Sequence, residues 1–146
     1  MPAGKKVRRL GVLAAVVAVM GVIAAPAEAR TGTHFTVVGE VIQAHGNQDR
    51  FFFREALFNP FNPFNRVGNL KAKCKARGKV RCLGRFHFDG SIGGFGDVWV
   101  RGNIGGHDTT LNVVDGTGTF TGAVTGKVDV DPVDRRTTVY RFHLTH

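Results

Sequence analysis

The chain has 146 residues, of which 20 are Lys or Arg and 11 are Asp or Glu, so its formal net charge is +9. It contains 20 glycines, five prolines and two cysteines. Many glycines with few prolines are typical of short strands joined by tight turns, and they argue against a helical bundle or a disordered chain.

Residues 1–29 predict a signal peptide. The segment begins with four cations, continues as an uncharged apolar run over residues 10–25, and ends on Ala-Glu-Ala at residues 27–29, a small-x-small cleavage pattern. The apolar run is shorter than the ~20 residues of a spanning helix, so a membrane anchor is the less favoured alternative. We therefore expect a secreted protein with one folded domain over residues 30–146, no membrane association after cleavage, and a net charge of +6 from 16 basic and 10 acidic residues.

Residues 33–43 predict a first strand whose two alternating faces are both apolar, which indicates that it is covered on both sides. Glu40 shares a row with Val38 and Ile42, so its carboxyl must be paired, hydrogen-bonded or protonated. We therefore take Glu40 as a candidate catalytic acid or base in a cavity lined by Val38 and Ile42. The alternative is an ion-paired or rim position near the end of the strand.

A second strand is predicted over residues 51–57, and the repeat FNPFNPFN follows at residues 58–65. Proline fixes φ and favours an extended residue before it, so we expect a polyproline-like turn with three residues per turn. Phe58, Phe61 and Phe64 would then lie on one side. They are candidates for a lid over a barrel mouth or for a subunit contact, and the alternative is that they cover the core.

The two cysteines predict a disulfide. Cys74 and Cys82 lie four residues on either side of Gly78, so a hairpin that turns at residues 77–79 places them opposite each other. Secretion would put them in an oxidising compartment. Their spacing does not fit Cys-x-x-Cys redox or metal sites, and we expect a structural bond.

The same hairpin carries a basic row. In residues 70–81 the cations alternate with other residues, so they share one face of the hairpin. This face is either a solvated outer surface or a surface that attracts polyanions. The aromatic residues that stack bases in single-strand binders are missing from this stretch, so we favour the solvated face and expect no nucleic-acid partner. The row consists of Lys71, Lys73, Lys75, Arg77, Lys79 and Arg81.

Further strands are predicted over residues 86–92, 97–101, 109–114, 124–130 and 137–145. Seven or eight short strands with glycine turns predict an all-β protein, a single closed antiparallel β-barrel of about eight strands. Trp99 and Tyr140 are candidate wall residues of its cavity. The six histidines lack a metal-ligand spacing, and we expect neither a metal nor a cofactor.

The glycine-rich stretch at residues 113–130 is not a nucleotide-binding loop. Gly116, Gly118 and Gly122 have one residue too many for a dinucleotide fingerprint, and Gly122 to Lys127 has one too few for a P-loop. Close packing at a barrel corner is the remaining explanation.

Residues 94–102, 113–123 and 139–144, together with Arg-Val-Gly at residues 66–68, resemble the second half of the allene oxide cyclase and dirigent barrel families. Their GGTG or GGSG-x-F-x-x-A-x-G signature matches residues 115–123, with Asp115 in place of the first glycine. The resemblance implies an eight-stranded barrel, often trimeric, around an apolar cavity, and Glu40 would correspond to the cavity glutamate of the cyclases.

The resemblance also implies catalysis by confinement of a reactive molecule, which needs no nucleophile motif and no cofactor. The first functional hypothesis is therefore a secreted isomerase of the cyclase type, or a stereocontrol protein, acting on a small apolar molecule. The second is a non-catalytic carrier of apolar ligands or a surface interaction protein that uses the phenylalanines and the basic row.

Overall fold

The computed structural model describes residues 32–105, 109–122 and 125–145, so the predicted signal peptide lies outside the described residues. No helix in this part of the chain is long and apolar enough to cross a membrane. The described elements are β1 (Gly32–Gly46), β2 (Arg50–Asn59), β3 (Asn62–Arg77), β4 (Lys79–Asp89), β5 (Phe95–Ile104), β6 (Thr109–Gly116), the 3-10 turn η1 (Gly118–Phe120), β7 (Lys127–Pro132) and β8 (Thr137–Thr145).

The eight strands form a closed antiparallel barrel, which confirms the predicted fold class. Each strand pairs with the next along the chain, and β8 returns to pair with β1 from Gly32 opposite Thr145 to Glu40 opposite Thr137. Because the sheet closes on itself, no strand is left as a free edge that would template aggregation. Closure also defines an interior face, onto which every second side chain points.

Aromatic rings fill much of this interior. Phe142 stacks on Phe35 with ring centroids 4.5 Å apart, and its edge meets Phe86 at 4.9 Å and Phe88 at 5.5 Å. Phe120, carried by η1, packs on Phe88 at 5.4 Å and closes the end of the barrel at which β5 begins. Each fully buried ring contributes about 1.5–3 kcal/mol to stability through the apolar surface removed from water.

The glycine-rich stretch forms this closed end, and its glycines allow close packing as predicted. A Cβ on Gly116 would collide with the carbonyl oxygen of Phe120. Gly118 has φ of +60°, a conformation that residues with a side chain rarely adopt. The stretch therefore folds the chain back sharply, and in doing so it inserts Phe120 into the core.

The Phe-Asn-Pro repeat forms the β2–β3 hairpin and not an extended polyproline-like turn. β2 continues to Asn59 and β3 begins at Asn62, and the Asn59 side chain accepts a hydrogen bond from the backbone N–H of Phe61 at 2.9 Å. This asparagine closes the turn locally, which the proline spacing alone does not indicate. Phe61 and Phe64 are 94% and 95% exposed, whereas Phe58 is half-buried. A lid or subunit contact at these rings stays a prediction.

The disulfide prediction is confirmed. Cys74 lies directly opposite Cys82 across β3 and β4, and their sulfur atoms are 2.03 Å apart. The hairpin turns at Gly78, whose φ of +78° suits glycine. Both cysteines are buried beneath the outer cations of the same strands.

Removal of this disulfide is expected to lower the free energy of unfolding by about 2–3 kcal/mol, the loop-entropy estimate for a loop of this short length. Urea unfolding of the Cys74→Ala/Cys82→Ala double variant would measure the loss. Addition of a thiol reductant to the wild-type protein should give a similar loss and should leave the double variant unaffected. Equal stability of wild type and variant would show that the β3–β4 hairpin does not need the bond.

Candidate functional site

One carboxyl group lies inside the barrel. Glu55 on β2 is 3% exposed and is one of two buried polar side chains in the described residues. Its strand neighbours are Val41 on β1 and Leu70 on β3, so both flanking residues are aliphatic. A buried carboxyl needs a hydrogen-bonding partner, because an unpaired one would carry a large desolvation cost.

Tyr140 on β8 is that partner. Its hydroxyl donates a hydrogen bond to Oε2 of Glu55 at 2.8 Å, and the tyrosine is 4% exposed. The bond joins β2 to β8 across β1, where Gly39 leaves the space for it, since a Cβ on Gly39 would collide with the Glu55 carboxylate and the Tyr140 ring. Phe86 meets the tyrosine ring edge-on at 5.0 Å, which holds the ring in place.

The surroundings change the acidity of both groups. Burial raises the pKa of Glu55 from its ordinary value of 4.5 to about 7, against a smaller lowering by the Tyr140 hydrogen bond. The pKa of Tyr140 lies well above its ordinary value, first because of burial and then because of the neighbouring Glu55 charge. Glu55 can therefore gain or release a proton near neutral pH, as a general acid or base must, while Tyr140 remains a hydrogen-bond donor.

The two ends of the barrel differ in how deeply their inward-facing aromatic rings are buried. Phe51 and Phe53 precede Glu55 on the same inward row, lie toward the beginning of β2, and are only half-buried. At the opposite end, Phe120 is 2% exposed and closes the interior. The partly exposed apolar rings on the strand of Glu55 therefore lie at the end of the barrel where β2 begins.

The sequence indicates Glu55 by the same pattern that selected Glu40, which is a single acid on an otherwise apolar row of a strand. In β2, Phe51, Phe53, Glu55 and Leu57 form an alternating row that is apolar except for one acid. An acid on an apolar row must be protonated or hydrogen-bonded wherever that row faces the core. The same argument, applied to β2, would have selected the buried carboxyl.

The predicted placement of Glu40, Val38 and Ile42 inside the barrel is wrong. Val37 and Gly39 are the buried residues of β1, whereas Glu40 is exposed, Ile42 is 56% exposed and Val38 is half-buried. Both rows of β1 are apolar, so alternation does not reveal which one faces inward. The register also shifts at a bulge between Val41 and Gln43, which interrupts the alternation there.

Trp99 also differs from the prediction. It is half-buried on the outer face of β5, and the Arg85 guanidinium lies over its ring at 5.5 Å from the centroid. The buried neighbours Val98 and Val100 occupy the inner face instead. Of the predicted cavity residues, Tyr140 is the one that points into the barrel, and its contact with a ligand stays a prediction.

A second polar cluster lies on the outer surface. His34 and His143 face each other across β1 and β8 with their Nδ1 atoms 3.0 Å apart, and Nε2 of His143 lies 2.9 Å from Oδ2 of Asp129. Asp129 also accepts a hydrogen bond from the Thr110 hydroxyl at 3.0 Å. The chain of contacts links β1, β8, β7 and β6 and is exposed to solvent throughout. Sequence spacing could not reveal it, because its members come from four strands.

The fold can be compared with known proteins. A solved structure with this fold is that of pyocyanin demethylase. The two chains superpose with a TM-score of 0.63 at 18% sequence identity, over 77% of this chain and 100% of the other. No protein-family model matches the sequence, and no curated protein matches it. The similarity to pyocyanin demethylase therefore establishes the barrel architecture.

Proposed function

We propose that the barrel is an acid–base enzyme of the isomerase type that acts on a small, largely apolar molecule. Glu55 transfers the proton, and Tyr140 positions its carboxyl. The observation that carries the proposal is the hydrogen-bonded Glu55–Tyr140 pair within an apolar interior, with the pKa of Glu55 raised by burial to about 7. A carboxyl with that acidity can add a proton at one atom of a bound molecule and remove another in the same turnover.

Two further considerations support a catalytic barrel. The sequence resembles the allene oxide cyclase and dirigent families at residues 94–102 and 113–123, and the solved structure with the same fold is named as a demethylase. We propose that the protein is secreted, as its N-terminal segment predicts and its disulfide favours. We also propose a homotrimer, on the resemblance alone.

A non-catalytic carrier of apolar ligands is the second candidate. It is favoured by the aromatic rings beside Tyr140, because Phe86 and Phe142 offer an apolar lining that could hold a ligand without any chemical step. In a carrier, the Glu55–Tyr140 pair would bind a polar group of the ligand without proton transfer. The two candidates differ in whether the bound molecule leaves the barrel chemically changed.

The test uses the small-molecule extract of the producing cells and their medium, incubated with the protein in D₂O and followed by mass spectrometry. We expect at least one compound to be converted to an isomer that carries deuterium. Glu55→Gln should slow this conversion by a factor of about 10²–10⁴, the usual contribution of general acid–base catalysis. Tyr140→Phe should leave the carboxyl in place but reduce the rate.

Glu40→Gln is the matched control, because it makes the same change on an exposed residue of the neighbouring strand. It should convert the compound at the wild-type rate. A conversion that continues at the wild-type rate in Glu55→Gln contradicts the proposal. A conversion that is lost in Glu40→Gln would instead support Glu40 as the catalytic acid or base, as the sequence of β1 predicted. A compound that is bound but released unchanged would support the carrier.

A further inference from the structure

The outer face of β2 to β5 carries half of the basic residues of the chain. We call this face, together with the β3–β4 turn, the basic wall. Its cations are exposed or half-exposed and number ten of the 20 Lys and Arg residues. They are Arg50, Arg54, Lys71, Lys73, Lys75, Arg77, Lys79, Arg81, Arg85 and Arg101.

The cations of the basic wall face one another across the strands. Arg54, Lys71 and Arg85 lie in one register across β2, β3 and β4. A second register brings together Arg50, Lys75 and Arg81. Like charges directly opposite on a sheet are destabilising.

Little in the fold offsets this repulsion. Among the ion pairs of the described residues, the basic wall contributes only Arg85, whose Nη1 lies 3.9 Å from Oδ2 of Asp97. Ion pairs among the described residues therefore do little to offset the cost of placing the cations together. An anionic partner would offset it.

An apolar groove crosses the basic wall. It has a volume of about 420 Å³ and runs over the backbone of the Ala72–Gly84 pair. The row on one side of the groove includes Phe52 and Leu83, and the row on the other side includes Trp99. His45 extends the first row from β1 and stacks on Phe52 with ring centroids 5.1 Å apart.

The shape of the groove fits an extended chain. The groove runs from β1 to β5, so its length is four strand spacings, or about 19 Å. Residues i and i+2 of each strand border it, so its width between the two rows is about 7 Å. The cations lie along both rows and extend beyond them, around the neighbouring clefts that Lys75 and Arg81 line. A single small anion would neutralise only a few of these charges, whereas a polymer would follow them.

Other anionic partners fit less well. The groove lining offers cations, a histidine and apolar groups but no amide or hydroxyl side chain, although sugar hydroxyls need acceptors as well as donors. Phe52 and Leu83 are each only 37% exposed, so the cations project beyond them and would hold a membrane away. A second copy of the wall would be repelled by its own charge.

We propose that the basic wall binds single-stranded nucleic acid without sequence preference. The phosphates contact the cations, and bases stack on Phe52, His45 and Trp99 in the groove, the combination that general single-strand binders use. No nucleic-acid partner was predicted from the sequence, because aromatic residues are missing from the basic hairpin. The fold supplies them from β1, β2 and β5. The proposal is independent of the function proposed for Glu55.

Trp99 makes the test specific, because it is the single tryptophan of the chain and lies in the groove. Titration with oligothymidylate of about 15 nucleotides should quench its fluorescence as bases stack on it. With about five phosphates neutralised and a logarithmic salt slope near −0.7 per phosphate, the affinity should fall about 100-fold between 50 and 200 mM salt.

Two variants and a control separate stacking from charge. Phe52→Ala should weaken binding on the order of tenfold through lost stacking, with the salt slope unchanged. Lys73→Glu should also weaken binding, and it should lower the slope. The matched control is Lys127→Glu, on the exposed face of β7, which should bind like the wild type.

Three results would overturn the proposal. The first is the absence of Trp99 quenching by the oligonucleotide at 50 mM salt. The second is an oligonucleotide affinity that is the same in Phe52→Ala as in the wild type, together with an equal affinity for a sulfated polysaccharide. This combination would indicate simple attraction to polyanions. The third is a blue shift of Trp99 emission with phosphatidylglycerol vesicles but no response to the oligonucleotide, which would identify a membrane surface as the partner.

Discussion

Replacement of Glu55 by glutamine is expected to make the barrel more stable than the wild type at pH 8, whereas this difference is absent or much smaller at pH 4.5. The wild-type carboxyl binds its proton more tightly in the folded state, with a pKa of about 7, than in the unfolded state, with a pKa near 4.5. The stability from the protonated carboxyl is therefore complete below pH 4.5 and is lost as the pH rises through 7. The loss amounts to about 3 kcal/mol.

Urea unfolding of the wild type and of Glu55→Gln at several pH values between 4.5 and 8 measures this effect. The difference between their free energies of unfolding isolates Glu55, because all other titrating groups are shared. Glu40→Gln serves as the control, since it makes the same substitution at an exposed position of the neighbouring strand. A Glu55→Gln difference that does not change with pH would mean that the carboxyl is ionised at no cost in the folded barrel, contrary to the proton-transfer role.

Phe142→Ala is expected to lower the free energy of unfolding by about 3–5 kcal/mol, the range for deletion of a buried aromatic ring. Phe142 is 0% exposed and contacts three other phenylalanine rings, so its removal leaves a cavity at the centre of the core. Because small domains are stable by only about 5–15 kcal/mol, this single change should remove much of the total.

Phe64→Ala provides the comparison, because it deletes the same ring from a position that is 95% exposed. Its effect should lie within about 0.5 kcal/mol of zero. Chemical denaturation followed by circular dichroism would measure both variants. Similar losses for the two would contradict the packing described for the core, and they would indicate that Phe64 is covered in an assembly, as its predicted role in a subunit contact requires.

Local sequence patterns predicted the fold well. The Cys-x₇-Cys spacing around Gly78 was enough to place the β3–β4 hairpin and its disulfide, because a tight turn determines which residues face each other. Clean alternation in β8 likewise placed Tyr140, Phe142 and Leu144 on one face. Such features depend only on residues close together in the chain.

The candidate site was harder to predict, because its position depends on which face of each strand closes inward. β1 is apolar on both faces, so its sequence alone did not show whether the row of Glu40 or the row of Gly39 faces the interior. The pairing of β1 with β2 and β8 decides this. Gly39 faces inward, and because it has no side chain it leaves room for the Glu55 carboxyl. Charge on one hairpin was visible in the sequence, but the aromatic groove of the basic wall was not, because Phe52 and Trp99 lie on different strands.

The order of the strands around the barrel has a consequence for how the protein folds. Seven of the eight ladders join strands that follow each other in the chain. The β1–β8 ladder joins the first strand of the barrel to the last, with Val37 opposite Tyr140. The entropy lost in closing a loop of about 100 residues is thus concentrated in one step, and we expect that step to limit the folding rate. The hydrogen bond between Tyr140 and Glu55 cannot form before it. The acid of the proposed active site therefore acquires its raised pKa only when the last ladder has closed.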